Sequence, residues 1–203
     1  MLLDSIYFYS CWAMIIAAVP TFIASLVIKA PYGRYSSTAW GPVVPARLGW
    51  VIMESINIWI VLFVWLHYSN PVVAGSRGNQ IAAGLFVLHY FNRSLIYPFR
   101  LSNPNPMSIT VMLAALSYCS WNGFNQALSL LILNKISDDH VSSPVFLLGV
   151  VVFFVGFFTN LYADHVLLNL RKPGDKPGSY KIPSGGIYEY ISCPNYGKLF
   201  LKM

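Results

Sequence analysis

Ionisable side chains inside long apolar runs are the residues of this sequence whose types and spacing bear on chemistry. Glu54 has Asn57 three positions on. His89, Tyr90, Arg93 and Tyr97 follow at i,i+3 and i,i+4 spacings, which gather them on one side of a helix. Tyr118, Asn122, Asn125 and Gln126 are spaced alike, and Asn160 and Asp164 stand at i,i+4 just before His165. An ionisable group surrounded by lipid costs from a few kcal/mol upward, so each marks a candidate functional position. Carried on four such runs, these polar groups could converge on one internal cavity. Two plainer readings stay open beside this one. Glu54 and Arg93 can form a structural ion pair, and Asn122 and Asn125 can serve as interhelical hydrogen-bond glue. No His, Cys, Asp or Glu cluster has metal-ligand spacing, so no metal site is expected. Cys11, Cys119 and Cys193 form no C-x-x-C pair and read as small apolar residues.

The elements that must position these groups follow from composition. Of 203 residues, 56% are hydrophobic and 10% charged, against roughly 25% charged in an ordinary soluble domain. With a mean hydropathy of +0.57, too little charge remains to clothe a water-facing surface. That excludes a disordered chain, a soluble enzyme and a disulfide scaffold, and leaves an integral membrane protein. Spanning ~30 Å of hydrocarbon takes about 20 apolar residues as helix, because lipid offers the backbone no hydrogen-bond partner. Five stretches qualify, 5–28, 48–68, 80–99, 107–133 and 144–170, and their formal charges are Glu54, Arg93 and Asp164 alone. The first is too long, and lacks a preceding Lys or Arg, to read as a signal peptide. The expected fold is an all-α, polytopic membrane helix bundle forming a single membrane domain over 1–203.

Loop charge orients the bundle. Lys29, Arg34, Arg47, Arg100, Arg171, Lys172, Lys176, Lys181, Lys198 and Lys202 lie on one side, against Arg77 and Lys135 on the other. This positive-inside bias puts the N-terminus in the lumen and 29–47, 100–106 and 171–203 in the cytosol. The net charge of +6 (13 Lys and Arg, 7 Asp and Glu) thus faces an anionic membrane and an anionic cofactor, not nucleic acid. The Asn92-Arg93-Ser94 sequon falls within a span and is discounted. Segment 171–186, rich in Pro, Gly and Lys, reads as a cytosolic loop, and Trp12, Trp40, Trp50, Trp59 and Trp65 as packing or interfacial residues.

An ordered set of motifs then carries a family resemblance. Ala30-Pro31-Tyr32-Gly33-Arg34 is followed by Trp40-Gly41-Pro42, Pro45-Ala46-Arg47, Trp50 and Met53-Glu54-Ser55. Next come Leu88-His89-Tyr90-Phe91-Asn92-Arg93-Ser94-Leu95-Ile96-Tyr97-Pro98 and Asn122-Gly123. Asn160, Asp164, Leu170-Arg171-Lys172-Pro173-Gly174, Tyr180-Lys181-Ile182-Pro183, Gly185-Gly186 and Ser192-Cys193-Pro194-Asn195-Tyr196 complete it. This collinear set resembles the steroid 5α-reductases, the plant-type brassinosteroid reductases above all. The resemblance implies about seven membrane helices, of which five are here, enclosing NADPH and a lipophilic steroid in the endoplasmic-reticulum membrane. It implies reduction of the C4–C5 double bond of 3-oxo-Δ4-steroids, with hydride to the β-carbon and a proton to the α-carbon.

By the same resemblance Glu54 and Tyr90 are the catalytic donors to the 3-oxygen, since a carboxylic acid in a low-dielectric bundle can keep its proton. Tyr32, Arg34, Asn160, Asp164, Arg171, Tyr180, Lys181 and Asn195 match cofactor-binding positions, and Arg93, Tyr97 and Asn122 match positions supporting the site. Lys181 replaces an Arg frequent in animal members, and Asn92 a usual His. No G-x-G-x-x-G joins a strand to a helix, so helices and loops must hold the dinucleotide. After Asn195-Tyr196 the sequence departs from the family pattern over 197–203, as a C-terminally truncated form would. The alternatives are an enoyl-CoA or polyprenol reductase of the same superfamily, and a non-catalytic fragment that binds lipid or a partner subunit.

Overall fold

The computed structural model describes residues 2–28, 31, 35, 37–102, 104–170, 181–193 and 198–201. Helices dominate, as expected for an all-α membrane protein, and they form two compact units, residues 1–141 and 142–203. In the first unit α1 (Leu2–Val27) buries none of its residues and is apolar all round, as a lipid-facing helix is. A short cap follows. Ser37 accepts from the Ala39 amide at the start of a 3₁₀ turn over Thr38–Trp40, and Gly41 ends that turn at φ 99°, where a side chain would be strained. β1 (Val43–Val44) then pairs antiparallel with β2 (Met107–Ser108), Val43 opposite Ser108. Ser108 and Thr110 donate to the Trp40 carbonyl at 2.7 and 2.6 Å, stapling this loop to the start of the fourth expected span.

α2 (Ala46–Tyr68) is the central helix of this unit and packs most extensively on α6 (Ile109–Leu128). Between them in sequence lie α3 (Pro71–Ala74), α4 (Arg77–Phe91), a π-helical segment over Asn92–Ile96, and α5 (Tyr97–Arg100). Helix covers 77–100 and, as α6 with its π-helical extension Ser129–Leu133, 109–133. α1, α2 and the helix over Pro144–Asn169 are each long and apolar enough by themselves to cross a membrane, whereas the other two runs are each interrupted by a π segment.

Two apolar clusters bracket α2. Met53 joins Met107 and Met112 at one end, and Val61 and Val64 join Ala83, Ala127 and Leu131 at the other. The polar residues Glu54 and Asn57 fall between them. Beyond the second cluster Asn79, wholly buried, donates to the carbonyls of Leu130 and Asn134, both at 2.8 Å. Its Oδ1 accepts from the Ile136 amide and the Ser76 hydroxyl, at 2.7 and 2.6 Å. One side chain thus satisfies the carbonyls left open where the π-helical extension ends.

In the second unit α7 (Pro144–Asn169) starts with Ser143 accepting from the Phe146 amide and with Pro at the first helical position. Its apolar run is broken by buried Asn160 and Asp164. A 3₁₀ turn over Gly186–Glu189 returns to this helix, where the buried Tyr188 phenol donates to the Ala163 carbonyl at 2.9 Å. β3 (Ile191–Cys193) and β4 (Lys198–Leu201) form a short antiparallel ladder.

Candidate functional site

α2 presents Glu54 and Asn57 to the interior one turn apart, and the π segment after α4 brings Arg93 to the same place. Such segments shift the helix register by one residue and recur at functional sites. Here the register is marked by the Tyr97 amide donating to the Asn92 carbonyl. Arg93 Nη2 lies 3.4 Å from Glu54 Oε1, with both side chains largely buried. The Arg93 guanidinium also faces the rings of Trp50 at 4.7 Å and Tyr97 at 5.1 Å, and those two rings meet edge to face. The cation is thus held by one carboxylate and two π faces, a desolvated arrangement worth more than either contact in water. Cys119 Sγ approaches the other carboxyl oxygen, Oε2, at 3.9 Å.

A second string of contacts connects this pair to Tyr90. Asn57 Nδ2 donates to the backbone carbonyl of Glu54 at 3.4 Å. Asn122 Nδ2 donates both to Asn57 Oδ1 at 3.1 Å and to Tyr90 Oη at 2.9 Å. The close approach of α6 to α2 that permits this is made at Gly123, where an added Cβ would lie 3.2 Å from the Asn57 Cα. Tyr90 is seated by ring contacts with Phe86 at 4.7 Å and His89 at 5.2 Å, and Ser94 donates to its carbonyl at 2.7 Å.

Of the sequence-derived candidates, Glu54, Tyr90, Arg93, Tyr97 and Asn122 come together in this one cluster of the first unit. Asn160 and Asp164 lie buried on α7 in the second unit, at 9% and 1% exposure, and Lys181 is exposed. Tyr32, Arg34, Arg171, Tyr180 and Asn195 lie outside the described residues. The polar residues of the fourth expected span do not all face one cavity. Tyr118 is exposed, and Asn125 turns to α1, where Ser10 donates to its Oδ1 at 2.7 Å and accepts from Trp121 Nε1 at 2.6 Å.

Three members of the cluster were not among the expected site residues. Trp50 read as a packing residue but lies over the arginine, and Cys119 read as a small apolar residue but faces the carboxyl. Asn57 was visible only as a polar neighbour of Glu54. The spacing Trp50–Glu54–Asn57, at i,i+4 and i+7, was the signal that could have placed all three helix-2 members on one face. Cys119 carried no such signal. Among the described residues no group of three or more His, Cys, Asp and Glu could hold a metal ion.

Two buried polar groups on α7 can accept hydrogen bonds. Asn160 and Asp164 put an amide and a carboxylate one turn apart and buried, a pair able to take hydrogen bonds from ribose hydroxyls or a carboxamide.

The sequence pattern described as 3-oxo-5-alpha-steroid 4-dehydrogenase matches residues 105–200. The chain is 34% identical to the steroid 5-alpha-reductase DET2 of Gossypium hirsutum over 95% of its own length and 75% of that protein. It is 35% identical to the Bos taurus 3-oxo-5-alpha-steroid 4-dehydrogenase 1, over 96% of this chain and 74% of the relative. To the Homo sapiens 3-oxo-5-alpha-steroid 4-dehydrogenase 1 it is 38% identical, over 81% of this chain and 62% of that protein.

Proposed function

The chain belongs to the 3-oxo-5-alpha-steroid 4-dehydrogenase family of oxidoreductases, and from that premise we propose that it reduces the C4–C5 double bond of 3-oxo-Δ4-steroids with NADPH in the endoplasmic-reticulum membrane. The observation that carries the reading is the network between two apolar clusters in which the Glu54 carboxyl pairs with the Arg93 guanidinium and the Tyr90 phenol is tied to Glu54 through Asn122 and Asn57. Saturating a conjugated enone at its β-carbon sends charge to the 3-oxygen, and an enolate forms. A low-dielectric site must supply donors there in advance. Bound NADPH supplies the hydride, and Asn160, Asp164 and Lys181, with Tyr32, Arg34, Arg171, Tyr180 and Asn195, are the residues that would hold it.

The chain's own groups divide the remaining work. Tyr90 donates its phenolic O–H to the 3-oxygen, and Glu54, ionised against Arg93 in the free protein, takes up a proton when the apolar steroid excludes water and then donates a hydrogen bond to the same atom. Because Arg93 sits on Glu54 Oε1, that proton belongs on Oε2, the oxygen facing Cys119. Arg93 adds positive charge beside the developing oxyanion without having to touch it. The apolar clusters on either side exclude water, which strengthens each of these interactions.

The test is turnover of a Δ4-3-oxosteroid by microsomes carrying the protein, the Glu54→Gln variant or the Tyr90→Phe variant. Each substitution is expected to lower kcat by roughly 10²–10³-fold, the usual loss when one oxyanion donor is removed. Reduction of an enoyl-CoA but not of the steroid, with Glu54→Gln unaffected, would overturn this assignment. A thermal-shift titration with NADPH, with NADH as control, checks the cofactor independently, because a ligand that binds the folded state stabilises it by mass action.

A further inference from the structure

We propose that Asn122 and Asn57 are positioning residues that set the direction of the Tyr90 hydroxyl proton, a relay that rests on the donor role given to Tyr90 above. A phenol has one proton to give and lone pairs that accept. Asn122 Nδ2 occupies one of those lone pairs at 2.9 Å, so the Tyr90 O–H points away from Asn122 and is left to a substrate oxygen. Turned over, the same amide would present Oδ1 to the phenol and capture the proton that the reaction needs.

The orientation of Asn122 is therefore decisive, and the network specifies it. The second Nδ2 hydrogen of Asn122 goes to Asn57 Oδ1 at 3.1 Å. A reversed Asn122 would set two carbonyl oxygens against each other. Asn57 is held in its own orientation by donating to the backbone carbonyl of Glu54, which can only accept. Asn57 is fully buried, so water cannot substitute for either partner. Direction thus passes from a fixed backbone carbonyl through two amides to a phenol. The residue that anchors it, Glu54, carries the other proposed donor. As charge reaches the substrate oxygen and the phenol gives up more of its proton, the Asn122 N–H stabilises the partial charge left on Tyr90 Oη.

The experiment compares the wild type with Asn122→Leu, Tyr90→Phe and the double variant. Asn122→Leu keeps the branched shape of the side chain, with bulkier methyl groups, and removes both donors. It is expected to lower kcat by roughly 3–10-fold, the worth of one neutral hydrogen bond, with the steroid KM changed less than about 2-fold. In the Tyr90→Phe background it should have no further effect on kcat, since the group it orients is gone. Equal losses in both backgrounds would overturn the relay and leave Asn122 a packing residue. Asn122→Asp, which keeps the shape, serves if the leucine variant does not fold, and its non-additivity with Tyr90→Phe is the same criterion. A readout without turnover is the ¹⁹F resonance of 3-fluorotyrosine placed at position 90. Asn122→Leu should move it, and an unmoved resonance refutes the contact. A wild type that leaves the steroid unreduced while the resonance moves refutes the assigned reaction and upholds the orienting contact.

Discussion

Removing both partners of the Glu54–Arg93 pair should cost the fold far less than the sum of removing each alone. The two side chains lie 3.4 Å apart and are exposed by 9% and 12%. At an effective dielectric of 20 that separation corresponds to about 5 kcal/mol of gross attraction, most of it offset by lost hydration. Arg93→Met strands a buried carboxylate and removes the contacts with Trp50 and Tyr97 at 4.7 and 5.1 Å. Its expected destabilisation is about 4 kcal/mol. Glu54→Gln strands the guanidinium but leaves it on those two rings, so about 3 kcal/mol is expected. In the double variant no charge is stranded, and the loss should be about 3 kcal/mol rather than the sum of the two. Unfolding of the four proteins by SDS in mixed micelles, followed by tryptophan fluorescence, measures all three differences. Losses that add to within about 0.5 kcal/mol would show that the pair is not coupled and would refute the reasoning.

Other substitutions test other parts of the architecture. Gly123→Ala gains about 1 kcal/mol of helix propensity. Its new Cβ meets the Asn57 Cα at 3.2 Å, backbone that shifts only with the whole helix, and overpacking of about 2 kcal/mol leaves a net loss near 1 kcal/mol. A stabilised variant in the same SDS titration would contradict the close approach. Asn79→Leu strands two carbonyls, an amide N–H and a hydroxyl. It should cost about 4 kcal/mol, and a loss below about 1 kcal/mol would mean the end of the π extension finds other partners. Asp164→Leu should weaken NADPH binding by at least about 10-fold in a thermal-shift titration, and unchanged affinity would remove Asp164 from the cofactor-binding residues.

Much of this arrangement was legible before any coordinates. The membrane class followed from scarce charge, and the helical runs from apolar lengths that only a helix can hydrogen-bond internally in lipid. Glu54, Arg93 and Asn122 stood out because polar groups inside such runs are expensive to keep. The i,i+4 rule rightly brought Arg93 and Tyr97 into contact. It could not anticipate the π segment between them, since a local change of register leaves no mark in hydrophobic periodicity.

Asn122 and Asn125 show where sequence reasoning stops. They lie three residues apart on α6, and both read as interhelical polar contacts. The first bonds Asn57 and Tyr90, the second Ser10 on α1. Which neighbour each amide meets depends on how α1, α2 and α4 surround α6, and those distances are set by packing between segments far apart in the chain. Composition and spacing alone determined that this is a membrane helical protein with costly polar groups in its spans. Only the tertiary structure decided that Trp50, Cys119 and Asn57 complete the cluster, because a tryptophan, a cysteine and an asparagine acquire these roles from what is packed against them.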